Sequence, residues 1–373
     1  MKLYILNEEL QRIQPINVYE SVTWESFYRE EGNFTLKLPL NLFKVIVPED
    51  DSVVFIENTE EPDLGIVESV EKTVDDNNNK SLTVKGRLAS CILESRVSIG
   101  SNVFKDSYPR DILKTVLEDN FLSPNDTLRA IDILDYQISE QPILSQVDYE
   151  LLRGTDGLQI AKDICEIGDC GFSMGLKELS NGEVKLQFRL YKGANRSLGQ
   201  YINKPFVIQQ KGNSVVQIDY FKSSKDKRTF AEIDKEYNVR TTYPKTVEAS
   251  NSGLHRKETY IDLSSVSQTI ILEDGTEVVI EDQYYENMIQ NEVAVRMSSL
   301  VTTEYLDADL NALIASKYKK EVFLGDTITI KDEELGFFSD IVLTGATEVW
   351  SNKGYEVSLQ IGTNTVKKIK EVY

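Results

Sequence analysis

Any hydrolytic or transfer site in this chain would have to be assembled from a short inventory. The 373 residues include one histidine, His255, and three cysteines, Cys91, Cys165 and Cys170. Nucleophilic triads and most zinc sites draw on histidine as base or ligand. His255 stands between charged neighbours in Gly253-Leu-His-Arg-Lys-Glu258, a setting that suits a surface or polar-network residue. A His255–cysteine hydrolase is the sharper alternative and stays open at this point. There is no P-loop, no G-x-G-x-x-G and no H-E-x-x-H, and no serine is expected in a nucleophile elbow. Cys165 and Cys170 lack the two-residue spacing of a metal knuckle, so packing at a helix end accounts for them more simply. The 61 acids supply endless carboxylate pairs for glycoside hydrolysis, most of them on solvated faces. Glu49-Asp50-Asp51 and Asp75-Asp76-Asn77-Asn78-Asn79 resemble calcium loops loosely, but neither has the spacing and terminal Glu of an EF-hand. Turn chemistry explains both, because Asn and Asp tolerate left-handed backbone and cap their own turns. No catalytic, cofactor-binding or metal-ligating residue is therefore assigned, and no cofactor is expected.

Charge narrows the field further. Lys and Arg number 41 against 61 Asp and Glu, a formal net charge of −20. Polyanions would be repelled, which argues against nucleic-acid binding through a basic patch. With 40% hydrophobic and 27% charged residues the composition is globular, with apolar material for more than one core. No apolar run approaches the ~20 residues of a membrane-spanning helix. The opening MKLYILNEELQRIQ lacks an apolar h-region, so no signal peptide is expected and the odd cysteine count reads as buried thiols in a reducing compartment. The sequons at Asn33, Asn125 and Asn195 then carry no weight.

The elements that would position any site are mostly strands. In Asn33-Phe-Thr-Leu-Lys-Leu-Pro39 the apolar residues alternate with Thr35 and Lys37, the period of a half-buried strand. Residues 52–57 form a second strand, and 66–74 and 81–86 a hairpin around the Asp/Asn turn. An antiparallel sheet curled into a small barrel is expected for a first domain, 1–97.

Residues 98–203 read as an α+β unit. Pro109 opens a helix carrying Ile112, Leu113, Val116 and Leu117, with Ser107 as its start signal. A second helix, 157–167, presents Leu158, Ala161, Ile164 and Cys165 on one face, and Gly168 and Gly171 stop it. Strands at 171–177 and 183–191 flank Asn181-Gly182, a strong hairpin signal; Val184, Leu186, Phe188 and Leu190 share a face.

The third domain, 204–373, returns to strands, with a hairpin at Asp274-Gly275 between 269–272 and 277–280. A helical insertion over about 282–318 interrupts it. Its long helix carries Tyr285, Met288, Ile289, Val293, Met297 and Leu300. A shorter helix is capped by Asp307 and buries Leu310, Leu313, Ile314 and Tyr318. Strands at 326–331, 341–350 and 355–361 close the chain, the last with Tyr355, Val357, Leu359 and Ile361 on one face. These three repeat the order of 52–57, 66–74 and 81–86. The echo implies two similar barrels per chain, so that three copies would present six quasi-equivalent units. The fold class expected is β-rich α+β: two β-barrel domains with a small α/β domain between them.

Several landmarks carry a resemblance. Trp24, Tyr28, Gly32, Phe34, Leu36, Leu38 and Pro39, in W-x-x-x-Y-x-x-x-G-x-F-x-L-x-LP, resemble the start of a siphophage tail hub family, the amino-terminal parts of tail-associated lysins in phages of Gram-positive hosts. Gly86-Arg87-Leu88, Tyr191-Lys-Gly-Ala-Asn-Arg-Ser197, Gly253-Leu-His-Arg-Lys-Glu-Thr-Tyr260, Leu324-Gly-Asp326 and the Trp350 hairpin look like the same family. The resemblance implies tail-tube-like barrels with inserted α/β domains. It also implies a homotrimeric baseplate hub at the tail tip of the virion, made in the host cytoplasm. Its implied partners are a hexameric distal tail protein, a tape measure protein and receptor-binding or fibre proteins, with DNA passing through without specific binding. Relatives carry a hydrolase or receptor-binding module in a carboxy-terminal extension. The chain stops at Tyr373, so that module, and lytic activity with it, is not expected. The alternatives are a cell-wall hydrolase using a carboxylate pair and a host-receptor-binding adhesin. Trp24, Tyr28, Arg87, Arg196 and Arg256 are either interface anchors or local pins of the fold, with the larger share given to the pins. Part of the acidic excess is expected to face the channel.

Overall fold

Strict alternation builds the amino-terminal sheet. Strands β1 (Leu3–Leu6), β2 (Arg12–Ile16), β3 (Ser21–Phe27) and β4 (Asn33–Pro39) precede a short helix, α1 (Phe43–Ile46). Then come β5 (Phe55–Asn58), β6 (Leu64–Val74) and β7 (Lys80–Leu88). In β4 Phe34, Leu36 and Leu38 are buried as the period-two pattern requires. A computed structural model describes every residue except 49–51, 75–79, 210–214, 237–238, 245–251, 272–275, 311–316, 333–336 and 363–373. The two acidic runs read as turns, 49–51 and 75–79, lie outside the described residues, although β6 and β7 pair antiparallel as the hairpin requires. The strands follow the order β3-β4-β7-β6-β5-β1-β2. This run curls until its two ends share one core: Ile16 of β2 packs in the same cluster as Val22 and Trp24 of β3. Among the described residues no ladder joins β2 to β3, so the expected barrel is a curled sheet without hydrogen-bonded closure.

The middle segment comprises β8 (Asn102–Ser107), α2 (Pro109–Leu117), β9 (Leu134–Asp135), β10 (Val147–Leu151), α3 (Gly157–Ile167), β11 (Gly171–Glu178) and β12 (Val184–Tyr191). It packs on the other face of the first sheet. Ile5 and Ile56 belong to the first core, while their neighbours Leu6 and Phe55 belong to the second, with Ile112, Phe121 and Phe188. Two local expectations need correction. Ser107 does not cap α2; Tyr108 holds the cap position without a side-chain bond, and the Ser107 hydroxyl donates to the Lys105 carbonyl. Proline at the first helical position suffices, because its missing N–H would be unpaired there anyway. Gly168 ends α3, but Gly171 begins β11. Val184, at the open end of β12, is exposed, while Leu186, Phe188 and Leu190 are buried. The thiols Cys165 and Cys170 are buried and unbridged, as packing residues should be.

The chain continues through β13 (Asn195–Arg196), β14 (Val207–Gln209) and β15 (Val215–Ser223). An insertion follows: β16 (Phe230–Lys235), β17 (Val239–Tyr243), β18 (Glu258–Asp262), β19 (Thr269–Ile271), β20 (Glu277–Val279) and α4 (Asp282–Ser298). It has its own core, in which Met288, Ile289 and Val293 of α4 pack on Ala231, Ile233 and Ile261. Strands β19 and β20 pair as expected, with their turn outside the described residues. The last strands are β21 (Thr303–Leu310), β22 (Thr327–Asp332), β23 (Phe337–Ser351) and β24 (Gly354–Gly362). The second helix expected in the insertion is absent where Asp307 was to cap it. Asp307 lies within β21, opposite Asp219 of β15 on one side and Gln360 of β24 on the other. Leu306, Ala308 and Leu310 alternate with polar residues, and two flanking strands outweigh a helical spacing that begins only at Leu310. Leu313 and Ile314 lie outside the described residues; Tyr318 is buried as expected.

Both ends of the chain share one sheet, ordered β15-β21-β24-β23-β3-β4-β7-β6-β5-β1-β2, with β13, β14 and β22 off this path. Its two halves repeat ladder for ladder. Strands β3-β4-β7-β6-β5 pair as β15-β21-β24-β23-β22 do, every ladder antiparallel. The long central strand of each half carries a bulge at the same level, between Val67 and Ser69 in β6 and between Leu343 and Gly345 in β23. Aligning the bulges places Leu82 on Val357, Val84 on Leu359 and Ile56 on Ile328, all buried. The echo of three strands is thus a repeat of five. The halves meet where β23 pairs with β3, from Gly345 opposite Phe27 to Ser351 opposite Ser21.

Candidate assembly interface

Residues with chemical potential are scattered. His255 sits in a short turn beside fully exposed Leu254, and its carbonyl accepts from the Thr229 hydroxyl. Among the described residues no buried cysteine is among its hydrogen-bond partners. The string Gly171-Phe-Ser-Met-Gly175 does match G-x-S-x-G, a match that sequence reading passed over. It runs through β11, with Ser173 opposite Arg189 in mid-ladder, and not at the strand-to-helix turn that exposes a nucleophile. Among the described residues no group of His, Cys, Asp and Glu could hold a metal ion. Glu150, Asp163 and Glu292 gather near Tyr149 around a cavity of about 20 Å³, room for one water. Burial, reinforced by Glu292, raises the Glu150 carboxyl to about 7 and that of Asp163 to about 6. The chamber is too small for a sugar or a peptide.

The strongest polar constellation lies where the two halves meet. Lys319 donates from Nζ to both Glu61 and Glu348, and Tyr355 donates its hydroxyl to Glu348. The carboxylate side chains are fully buried or nearly so. Burial first, then the charge of Glu348 against that of Lys319, raises the Glu61 carboxyl to about 9. Nearby Asp63 is buried, accepts from the Met174 N–H at 2.6 Å and is raised to about 6, chiefly by desolvation. Asp326 anchors a second knot, accepting from Ala194 N at 2.6 Å, Arg196 Nε at 2.7 Å and Phe323 N at 2.9 Å. Beside it Gly325 has φ +86° and presses its backbone on the Tyr28 ring, where a Cβ would come within 2.3 Å. Tyr28 is buried edge-on to Tyr191, and burial pushes its phenol up to about 12. These contacts are adhesive, binding β6, β13, β22 and β23 into one body.

The landmark residues act locally. Trp24 is buried and stacks on Phe34 at 5.3 Å. Arg87 pairs with Glu68 at 2.9 Å and Glu94 at 2.6 Å. Arg196 belongs to the Asp326 knot, and Arg256 lies 3.6 Å over the Phe230 ring. All five proposed anchors therefore have partners within the chain that hold its own fold. Sequence reasoning missed Glu61, Lys319 and Glu348, because nothing local marks residues that meet only across the junction.

The unsatisfied feature is backbone. Strand β6 pairs with β5 only through Leu64–Ile66. From Ser69 to Val74 it has β7 on one side and, among the described residues, no strand on the other. Strand β15 ends the order at the opposite extremity.

The described residues thus form a curled double sheet held by internal polar knots, with an open polar cleft of about 360 Å³ beside Asp106, Gln146, Asp148 and Asn291. Solved structures share this fold. The tail protein from Neisseria meningitidis MC58 aligns over 96% of this chain and 95% of its own, with a TM-score of 0.57 at 11% identity. The 43 kDa tail protein of prophage MuSo2 from Shewanella oneidensis aligns over 97% and 98%, with 0.55 at 10%. Prophage tail protein gp18 from Listeria monocytogenes EGD-e aligns over 98% and 96%, with 0.51 at 10%. The fold is that of phage tail proteins. Residues 2–363 match the Siphovirus ReqiPepy6 Gp37-like protein family, and the chain belongs to it. No curated protein sequence matches the chain. The resemblance to a siphophage tail family drawn from Trp24 to Trp350 holds. No helix among the described residues is long and apolar enough to cross a membrane.

Proposed function

We propose that the chain is the baseplate hub of a long-tailed phage: a homotrimer whose doubled sheet presents six similar units to a hexameric distal tail protein. The observation that carries this reading is the ladder-for-ladder repeat, with its bulge at one level in both halves. A threefold ring can meet a sixfold one only if each copy offers the same surface twice. Each half is then a tail-tube-like barrel unit, completed by its neighbours. The inserted segments 98–203 and 224–302 lie outside the wall, toward tape measure, fibre or receptor-binding proteins.

The sheet face turned away from the cores is the natural channel wall. Thr23, Thr35, Thr83 and Ser358 stand there, with Glu25, Glu71 and Glu356 against Lys37 and Lys85. Three glutamates stand against two lysines there, and the ladders carry Asp219 of β15 and Asp307 and Asp309 of β21 to register positions on the same face, in keeping with an acidic channel. Such a wall still gives a sliding duplex few fixed cations to displace its counterions. The chain works through interfaces and carries no hydrolysis of its own.

Solution mass tests the proposal. Sedimentation of the full chain over a range of concentrations should give a threefold mass, and peptidoglycan zymography should give no clearing. A monomer or dimer at every concentration, or a clearing band, would overturn it.

A further inference from the structure

Two bodies with separate cores meet along α4. The insertion buries Met288, Ile289 and Val293 of this helix in its own core, while β10 and α3 belong to the core of the middle segment. Across the contact Asn291 Nδ2 donates to the Asp148 carbonyl at 2.7 Å and Asn287 Nδ2 to the Asp148 carboxylate at 3.3 Å. The Lys105 ammonium lies 3.5 Å from the centre of the Tyr284 ring. The insertion is tethered to the sheet by two connections that leave side by side. Strand β15 ends at Ser223, β21 begins at Thr303, and between them the Arg228 N–H donates to the Leu300 carbonyl at 2.6 Å. A body tethered at one end and touching through polar groups at the other is built to hinge.

Carboxylates crowd this contact. Glu150 of β10 and Asp163 of α3 line the cavity of about 20 Å³ together with Glu292 of α4. On the side of the middle segment, Gln159 Nε2 donates to Asp163 at 2.7 Å, the Tyr149 hydroxyl faces it at 3.5 Å, and Asp156 caps the same helix. From α4, Arg296 pairs with Glu292 at 2.8 Å, and the Tyr285 hydroxyl donates to the Val266 carbonyl. The cation in this set is therefore engaged by Glu292. In the closed contact, burial and then Glu292 hold the Glu150 carboxyl at about 7, and burial holds that of Asp163 at about 6 against the donation from Gln159. Parting the bodies rehydrates both groups and returns them toward ordinary values near 4. The closed form thus keeps protons that the open form has released. Closure is complete below about pH 4 and is lost as pH rises through about 6 and 7. Amide or apolar side chains would hold such a contact at every pH, whereas carboxyls hold it only while protonated.

We propose that Glu150, Asp163 and Glu292 form a proton-operated latch: with Glu150 and Asp163 protonated the insertion stays closed on the middle segment, and their ionisation beside Glu292 frees it to swing about its tether. Where both groups titrate, opening releases two protons, and the ratio of open to closed chains rises by up to about a hundredfold per pH unit. Between about pH 6 and 7 Glu150 alone carries the change, at up to about tenfold. The latch joins two parts of one chain and does not depend on the hub reading.

Fluorescence transfer between the two bodies reads the latch. Leu128 and Ile143 are exposed on the middle segment, Leu254 and Val279 are exposed on the insertion, and the native cysteines are buried. Full-length L128C/L254C and I143C/V279C each carry a donor and an acceptor dye, and are diluted into unlabelled chain so that only transfer within one copy counts. Titrated from about pH 4.5 to 8, transfer in at least one pair should leave its acid value and settle at a second one. Far-ultraviolet circular dichroism should stay constant over the same range, because folded bodies move. Adding E150Q/D163N should hold the acid value up to about pH 8, and E292Q alone should move the transition to higher pH. Transfer that is flat in both pairs, or that shifts in E150Q/D163N as it does in the parent, overturns the latch. So does a transition that E292Q leaves in place, or one that coincides with loss of circular dichroism.

Discussion

Replacing Glu61 by glutamine isolates the electrostatics of the junction. Glu61 has no exposed side-chain area, and the Lys319 ammonium beside it is shared with Glu348. Two buried carboxylates facing one cation cannot both stay ionised cheaply, so one keeps a proton. That one is Glu61, raised to about 9 first by burial and then by Glu348. An unfolded glutamate releases its proton near pH 4.3. Between these two values the folded chain holds a proton that the unfolded chain has lost, so stability falls as pH rises through the window and is insensitive to this group below it. At about 1.4 kcal/mol per pH unit, the loss reaches at most about 3 to 4 kcal/mol at neutral pH. Glutamine has nearly the same volume, carries no charge at any pH and can still donate to Glu348. Thermal denaturation of E61Q beside wild type should therefore show nearly equal Tm at about pH 4.5. The variant should gain steadily toward about pH 8, by several degrees at roughly 2 °C per kcal/mol. A Tm difference that does not change with pH, or that moves toward wild type as pH rises, refutes a protonated Glu61.

The neighbouring contacts give two further tests. Gly325→Ala must accept φ +86° and a Cβ 2.3 Å from the Tyr28 ring; the left-handed backbone alone costs about 1–2 kcal/mol, so denaturant midpoints should fall by more than that, and an unchanged midpoint would contradict the packing. Asp326→Ala strands the N–H groups of Ala194 and Phe323 and leaves Arg196 unpaired, an expected loss of about 3–5 kcal/mol. Asp326→Asn should recover only part of it, and equal stability of all three proteins would show that the knot holds nothing.

What was legible in the sequence follows the range of the interactions. Helix α3 begins and ends where Leu158, Ile164 and Gly168 place it, because its signals lie within one turn of the residues they govern. The turn at Asn181-Gly182, with Gly182 at φ +82°, is equally local. Strand β21 was misread because its conformation is fixed by β15, some eighty residues earlier, and by β24, some fifty later. A spacing at Leu310, Leu313 and Ile314 cannot report that. The repeat was visible only in part for the same reason. Strands β3 and β4 are separated by residues 28–32, but their counterparts β15 and β21 are separated by 224–302. The insertion hides two of five strands from any reading that expects neighbours in space to be neighbours in sequence. The junction of Glu61, Lys319 and Glu348 was not legible at all, since each residue alone reads as a solvated charge.

The bulges explain why so divergent a repeat keeps its ladders. One extra residue in an antiparallel pair bends the strand and increases its twist, and a closed wall requires every part of the sheet to tilt and curve alike. If Val67–Ser69 were straightened while Leu343–Gly345 kept its kink, the two halves would curve differently. Side chains are free to vary on such a scaffold: Gly86 stands where Ile361 does, and Lys72 where Glu348 does. What must be kept is the count of residues on either side of the kink, a constraint on register that leaves residue identity almost untouched.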